Sequence, residues 1–89
     1  MAAYRVVVLP TAARELAKLP RPVARRVVAA IDVLAGQPRP PGARKLAGRG
    51  SEQWRIRVGD YRVLYEVRDA ELVIVIVKAG HRREVYRGR

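Results

Sequence analysis

The chain has 89 residues, of which 49% are hydrophobic and none is cysteine. This length fits one domain over residues 1–89, the hydrophobic fraction excludes a disordered chain, and the lack of cysteine excludes disulfides and thiolate metal sites. Nineteen Lys and Arg residues against eight Asp and Glu give a formal net charge of +11, which favours a polyanionic partner such as RNA, DNA, an acidic protein or an anionic membrane.

The N-terminal stretch MAAYRVVVLP predicts a strand over residues 3–9 that Pro10 stops. It lacks the charged segment and the long apolar segment of a secretion signal. Apolar runs elsewhere are also shorter than the roughly 18 residues that cross a bilayer. We therefore expect a cytoplasmic protein with no membrane partner.

Two helices are predicted next. Thr11 can cap the first helix, and Pro20 ends it. The second helix is predicted from about Arg21 to Ala35, with Gly36 as its C-terminal stop. Its apolar residues recur at spacings of three and four and form one stripe: Val23, Val27, Ala30, Ile31 and Leu34.

A Pro- and Gly-rich loop over residues 37–53 follows the helices. Loops of this length in compact domains are usually functional or mobile. Leu46 can dock the loop against the core, and the basic side chains of Lys45 and Arg49 are candidate RNA-binding groups.

The stretch WRIRVGDYRVLY alternates apolar and basic residues around Gly59-Asp60, which predicts a β-hairpin with a two-residue type II′ turn. This turn sets the register and places Arg57 directly opposite Arg62. Like charges at such positions destabilise a sheet. The other predicted pairs are Val58 with Tyr61, Ile56 with Val63 and Trp54 with Tyr65.

The run Leu72–Val77 has no alternation, so we expect an inner strand buried on both faces, preceded by a turn at residues 68–71. Two helices then need one face of the sheet to bury their apolar stripes. The resulting prediction is a two-layer α+β fold, β-α-α-β-β-β, with both N-terminal helices on one face of a mainly antiparallel sheet. A short final strand or turn is possible at residues 84–87.

The two faces of the predicted hairpin differ in character. Six residues can supply the face that the helices cover: Trp54, Ile56, Val58, Tyr61, Val63 and Tyr65. Arg55, Arg57 and Arg62 then lie on the open face. An anion seated between Arg57 and Arg62 would relieve their repulsion, and a phosphodiester can accept several charge-assisted hydrogen bonds there. The alternative is that both side chains extend into solvent or pair with Glu66, Asp60 or Glu52.

The tail GHRREVY gathers further candidate functional residues. His81 is the only histidine, so a zinc site is not expected, and the surrounding cations favour a neutral imidazole that can act as a base. Arg82 and Arg83 can bind phosphate, and Tyr86 can stack on a nucleotide base. Gly80 permits a bend before them.

The sequence lacks the residue patterns of most hydrolase active sites. There is no Gly-rich phosphate loop, Ser51 is the only serine, and no paired carboxylates occur at a convincing spacing. We expect no metal and no cofactor. RNA cleavage by its own 2′-hydroxyl needs only charge stabilisation and proton transfer, which arginines and a tail acid or base can provide.

Three stretches, LPRPVARRVVAAIDVLAGQPRPPGARKLAG, WRIRVGDYRVLYEV and HRREVY, resemble the RelE/ParE superfamily of toxins from bacterial toxin–antitoxin modules, on the RelE side. The resemblance extends from Tyr4 to Arg87. It implies a RelE-like fold and a ribosome-dependent endoribonuclease that cuts mRNA in the ribosomal A site and inhibits translation. It also implies an acidic, RelB-like antitoxin that forms a hetero-oligomer with the toxin.

The resemblance also implies roles for individual residues. Arg55 and Arg62 would hold the phosphate, Arg57 occupies the position of the proposed base, Arg82 that of the acid, and Tyr86 would stack on a nucleotide. Better-understood members of the superfamily have lysines at the positions of Arg55 and Arg57. Because an arginine keeps its proton, we hypothesise that His81, Tyr86 or a ribosomal group is the base.

Two other functions fit parts of the sequence. A ParE-like toxin of the same fold would inhibit DNA gyrase by binding and would not need the HRREVY stretch beside the arginine hairpin. A non-catalytic module would bind only nucleic acid or the antitoxin.

Overall fold

The computed structural model describes residues 3–46 and 52–81. The elements in chain order are β1 (Arg5–Val8), α1 (Pro10–Ala17), α2 (Arg21–Gly36), β2 (Arg44–Lys45), β3 (Gln53–Val58), β4 (Tyr61–Arg68), a 3₁₀ turn (Asp69–Glu71) and β5 (Val73–His81). The predicted order is confirmed, with one addition. The short strand β2 lies inside the stretch that the sequence predicts as a loop. The possible final strand near residues 84–87 lies outside the described residues.

The strands form one five-stranded sheet in the order β1-β5-β4-β3-β2. β1 runs parallel to β5, and the other three pairings are antiparallel. β5 therefore lies between β1 and β4. Val73 to Ile76 are buried, with Ile74 and Ile76 fully inaccessible, so the predicted inner strand is confirmed for these residues. The prediction is wrong for Leu72, which is 41% exposed and lies before the strand in a left-handed conformation, and Val77 is half-buried. The strand extends beyond Val77, because β4 continues to pair with it through His81.

The start of α1 and the end of α2 differ from their predictions. α1 begins at Pro10, with Leu9 rather than Thr11 as its N-cap, because proline has a helix-compatible φ and lacks only an N–H that has no partner in the first turn. Gly36 is the last residue of α2 rather than its stop. The chain leaves the helix at Gln37, which has φ −146° and ψ 83° because Pro38 disfavours helical geometry in the preceding residue.

The helices pack on one face of the sheet, and the core lies between the two layers. Val27, Ile31 and Leu34 of α2 are buried, which confirms the apolar stripe. Opposite them lie the side chains that the sequence assigned to the covered face. Ile56, Val63 and Tyr65 are in the buried core, and Trp54, Val58 and Tyr61 pack against it half-buried.

The β3–β4 hairpin has the predicted register. Arg57 lies opposite Arg62, and the predicted pairs on either side of them are also present. Gly59 has a φ of 61°, and Leu72 is the one non-glycine residue with positive φ in the described part of the chain. Asp60 is therefore not left-handed. A positive φ at the first central residue alone is the signature of a type II′ turn.

α1 covers the edge of β5 beyond the end of β1. The pairing of β1 with β5 ends at Val8 and Ile76, which leaves the next outward N–H groups of β5 without a strand partner. The Glu15 carboxylate accepts the N–H of Ala79 at 3.0 Å, and its other oxygen lies 3.6 Å from the Lys78 Nζ. This contact protects the strand edge.

Within the described ranges, no helix is long and apolar enough to cross a membrane.

Candidate functional site

Four arginines form two cross-strand rows on the sheet surface that the helices leave free. One row is Arg57 of β3 opposite Arg62 of β4, and the other is Arg44 of β2 opposite Arg55 of β3. Directly opposite residues share a face, and residues two apart on a strand share it at a spacing of about 7 Å. We call this surface, with Arg44, Arg55, Arg57 and Arg62, the arginine face.

The arginine face is less open than the sequence predicts. Arg57 is exposed, but only 9% of Arg55 is accessible, so the expectation of an open position is wrong for Arg55. Arg55 is flanked on both sides, by Arg44 and by Leu64. Arg57 is flanked on one side only, because β2 has already ended.

Arg62 contains an unsatisfied polar atom. Its Nε is buried and has no hydrogen-bond partner among residues 3–46 and 52–81. On the β5 side, the residue opposite Arg62 is Gly80, which has no side chain to approach the guanidinium. A buried donor without an acceptor is costly. Arg62 as a whole is half-buried, so an anion can reach it through the part of its side chain that stays accessible.

Three carboxylates of the described residues are engaged with other cations. Glu52 pairs with Arg39, Glu66 pairs with Arg68 at 2.6 Å, and Glu15 pairs with Lys78. None of the ion pairs within the described ranges involves the arginine face. The repulsion between Arg57 and Arg62 is therefore not neutralised by Glu66 or Glu52, and Asp60 forms no ion pair with either arginine in the described part of the chain.

Arg39 anchors the start of the long loop to the sheet. Its guanidinium binds Glu52 and also Asp69 at 2.8 Å, and it lies 5.5 Å from the ring centroid of Trp54. Hydrogen bonds from Arg39 hold the pKa values of the Glu52 and Asp69 carboxyls below their usual range, with further donation from Trp54 and Tyr4 respectively. Both acids therefore remain ionised partners of Arg39 at neutral pH.

A second bond fixes the same loop from below. The Tyr65 hydroxyl donates to the carbonyl of Pro38 at 2.6 Å. Burial raises the pKa of Tyr65 to about 12, so the hydroxyl keeps its proton and stays a donor at neutral pH. Together with Arg39, this bond positions the chain that leads into β2 and so into Arg44.

The structure separates two predicted site residues from the arginine face. His81 lies opposite Tyr61, with the two rings edge-to-face and 5.6 Å apart, on the side of the sheet that the helices cover. Lys45 lies opposite Trp54, also on that side. The adjacent residue Arg44, which the sequence analysis missed, takes the place on the arginine face. The stretches ARKL and WRIR both place an arginine next to an apolar residue. If they are paired as neighbouring strands, this alternation puts Arg44 and Arg55 on the same face.

Four further predicted residues, Arg49, Arg82, Arg83 and Tyr86, lie outside the described residues. The described ones contain no group of three His, Cys, Asp or Glu side chains placed to hold a metal ion.

A family model described as the ParE toxin of type II toxin–antitoxin systems, parDE, matches residues 6–86. The chain belongs to this toxin family. Toxin RelG of Mycobacterium tuberculosis is 38% identical over 88 residues, which cover 94% of this chain and 97% of RelG. This RelE-like toxin thus resembles its relative over almost the full length of both.

Solved structures agree with this assignment. A chain of the archaeal RelE–RelB complex from Pyrococcus horikoshii has 35% identity and a TM-score of 0.81, with 92% of the toxin and 98% of that chain covered. A chain of the toxin–antitoxin complex RelBE2 from M. tuberculosis has 30% identity and a TM-score of 0.80, with 94% and 97% covered. The predicted two-layer RelE-like fold is confirmed.

Proposed function

We propose that this toxin is a ribosome-dependent endoribonuclease that cleaves mRNA in the ribosomal A site, inhibits translation and acts in the cytoplasm. One observation carries the proposal. Arg57 and Arg62 face each other on the helix-free surface, and the buried Nε of Arg62 lacks an acceptor among the described residues. Such a pair is a site for a phosphate, because a guanidinium donates parallel hydrogen bonds to two oxygens.

The proposed reaction uses the 2′-hydroxyl of the RNA as nucleophile. The 2′-oxygen forms a bond to the adjacent phosphorus, the bond from phosphorus to the 5′-oxygen of the next nucleotide breaks, and the products are a 2′,3′-cyclic phosphate and a 5′-hydroxyl. Negative charge grows on the non-bridging oxygens in the transition state. Arg57 and Arg62 stabilise this charge by donating to the oxygens on which it develops.

Two protons must also move, one from the 2′-hydroxyl and one to the leaving 5′-oxygen. Arg57 cannot accept the first proton because an arginine stays protonated, so it contributes charge only. His81 lies on the opposite side of the sheet, beside Tyr61. The proposed base is therefore Tyr86 or a ribosomal group. Arg82, at the position of the acid, stabilises the negative charge on the leaving 5′-oxygen, which takes its proton from water or a ribosomal group.

The proposed partners are the ribosome with its mRNA and an acidic, RelB-like antitoxin in a hetero-oligomer. Two observations support an antitoxin. The similar solved structures include RelE–RelB and RelBE2 toxin–antitoxin complexes, and the net charge of +11 favours an acidic partner.

The test uses purified toxin and ribosomes that carry a defined mRNA, with cleavage sites mapped by primer extension. We expect cuts within the A-site codon, with 2′,3′-cyclic phosphate ends, and no cut when the nucleotide before the mapped site is 2′-deoxy. The same mRNA without ribosomes is the control for ribosome dependence. Intact mRNA on the ribosome, or cleavage of the 2′-deoxy substrate, would refute the proposed reaction.

The matching family description favours a second candidate, because it names ParE. A ParE-like toxin would inhibit DNA gyrase without cutting RNA. Supercoiling of relaxed plasmid by gyrase, measured with the same toxin preparation, separates the two candidates. We expect supercoiling to be unaffected. A toxin that blocks supercoiling and leaves mRNA intact would be a gyrase inhibitor, and one that does neither would be a binding module.

A further inference from the structure

A groove of about 480 Å³ runs along the edge of β3 next to the arginine face. One wall comes from α2 and the other from the loop that leads into β2. β2 pairs with only Trp54 and Arg55, so the edge of β3 beyond Arg55 has no neighbouring strand in the described part of the chain. The groove occupies the space where β2 would continue.

The walls of the groove are mainly apolar. Five residues provide them: Ala30, Val33, Pro40, Pro41 and Ile56. Val33 is 52% exposed, so its side chain is accessible to a ligand in the groove. The volume is within the range of small-molecule sites, which are apolar with a few placed polar groups.

The free edge of β3 supplies those polar groups. The Gln53 carbonyl accepts the N–H of Leu46 at 2.8 Å, so the main chain of Gln53 points away from β4. Because main-chain direction alternates along a strand, the N–H and carbonyl of Arg57 point the same way. They form a donor and an acceptor at the groove, of the kind that recognises the edge of a nucleotide base.

Positive charge surrounds the same groove. Arg44, Arg55 and Arg57 all contribute to its lining, and none of them forms an ion pair with a carboxylate of residues 3–46 or 52–81. Arg57 belongs both to this groove and to the row with Arg62. The groove is therefore continuous with the proposed site of the cleaved phosphate.

The loop wall is held in place without a ligand. The N–H of Ala43 donates to the Pro40 carbonyl at 3.0 Å and closes a turn. Gly42 in this turn has a φ of 91°, and Arg39 ties the chain just before it to Glu52 and Asp69. A preformed wall lowers the ordering cost of binding.

We infer that this groove binds the base of a nucleotide adjacent to the cleaved phosphate, and that the phosphate of that nucleotide lies on Arg44 and Arg55. The inference rests on the proposed function in taking RNA as the substrate. The two arginine rows are about 7 Å apart along β3, which matches successive phosphates of one extended strand. An apolar groove with one main-chain donor and one main-chain acceptor, both from Arg57, suits a base. An acidic peptide would need more cations to pair with its carboxylates.

The first test measures binding of a short single-stranded RNA by fluorescence anisotropy at low salt. The nucleotide on the 5′ side of each cleavable bond is 2′-deoxy, so the RNA cannot be cut and only binding is measured. Removing one base at a time should reveal one position whose loss weakens wild-type binding roughly tenfold, since a lost contact of about 1.4 kcal/mol is a tenfold change in affinity. Val33→Trp fills the groove and should abolish this sensitivity. Val28→Trp, at a 45% exposed position of the same helix, should retain it.

The second test concerns charge. Arg44→Ala should weaken RNA binding about fivefold to tenfold and lower the slope of log K against log salt by about one, as for the loss of one phosphate contact. Arg25→Ala, which removes an exposed arginine of α2, should change neither value.

Several results would overturn the inference. The first is that removal of no base weakens binding to the wild type, and the second is that the sensitivity to base removal persists in Val33→Trp. The third is an unchanged salt slope in Arg44→Ala. The fourth is that an acidic peptide of Glu and Leu residues binds the groove more tightly than RNA does. Because the RNA is not cleavable, these outcomes are separate from the cleavage assay. A toxin that cuts mRNA without a base-sensitive position would refute the groove alone.

Discussion

At the scale of single residues, the arginine face follows from one turn. The Gly59-Asp60 pair sets the register, and the register places Arg57 opposite Arg62. The sequence is sufficient here because the turn and its strands are adjacent in the chain and alternation assigns each side chain to a face. It was insufficient for the low exposure of Arg55, which is flanked by Leu64 and by Arg44 of β2, a strand that the sequence does not predict.

The turn glycine gives a prediction about stability. Gly59 has a φ of 61°, and a Cβ on it would lie 2.9 Å from the Arg26 Nη2. Arg26 can move aside, so the cost of Gly59→Ala comes mainly from the left-handed backbone. We expect the free energy of unfolding to fall by about 1–2 kcal/mol in urea titrations.

Gly36→Ala is the matched control. This glycine lies in α2 without a positive φ and with open space around it, so alanine should stabilise the protein by about 0.4–1 kcal/mol. Adding Arg26→Ala to Gly59→Ala should not restore stability. Full recovery in that double variant would mean that contact with Arg26, and not backbone strain, sets the cost.

At the scale of elements, the main miss is β2. A two-residue strand has no detectable periodicity, and Pro38, Pro40 and Pro41 give its surroundings the composition of a loop. Pairing with β3 forms it. This pairing decides that Arg44 and not Lys45 lies on the arginine face, because a one-residue shift moves a side chain to the other side of a sheet.

The element that carries β2 is anchored by Arg39, and this anchor gives a prediction about pH. The folded state lowers the pKa of Glu52 and Asp69. Their contribution to the free energy of unfolding is therefore complete above the unfolded pKa of about 4, and it is lost as the pH falls through the lower folded pKa. The difference in stability between wild type and Arg39→Gln should be largest at neutral pH and should shrink by about pH 3.

Urea titrations of both proteins across this pH range provide the measurement. Arg25→Gln is the control, because Arg25 forms no ion pair within residues 3–46 and 52–81, and its effect should not vary with pH in this way. A difference between wild type and Arg39→Gln that stayed constant from pH 7 to pH 3 would show that the two carboxylates do not depend on Arg39.

At the scale of the whole molecule, the fold separates two kinds of surface. The helices cover one face of the sheet and bury its apolar residues, while Glu52, Glu66 and Glu15 pair with Arg39, Arg68 and Lys78. The arginine face is left with uncompensated positive charge within a molecule of net charge +11. The layered fold was predictable because amphipathic helices and an inner strand permit few architectures. The pairing of individual charges was not, since it depends on contacts between distant segments.

The most direct test of the account is the single-turnover rate at which Arg62→Ala cleaves mRNA on the ribosome. Loss of a fixed donor to the developing charge should lower the rate about 10²–10³-fold, with circular dichroism showing a folded protein. Arg62→Lys, which keeps the charge but not the Nε donor, should fall between Arg62→Ala and the wild type, and Arg25→Ala should match the wild type. A folded Arg62→Ala protein that cleaved at the wild-type rate would contradict the claim that the arginine face stabilises the phosphate during cleavage.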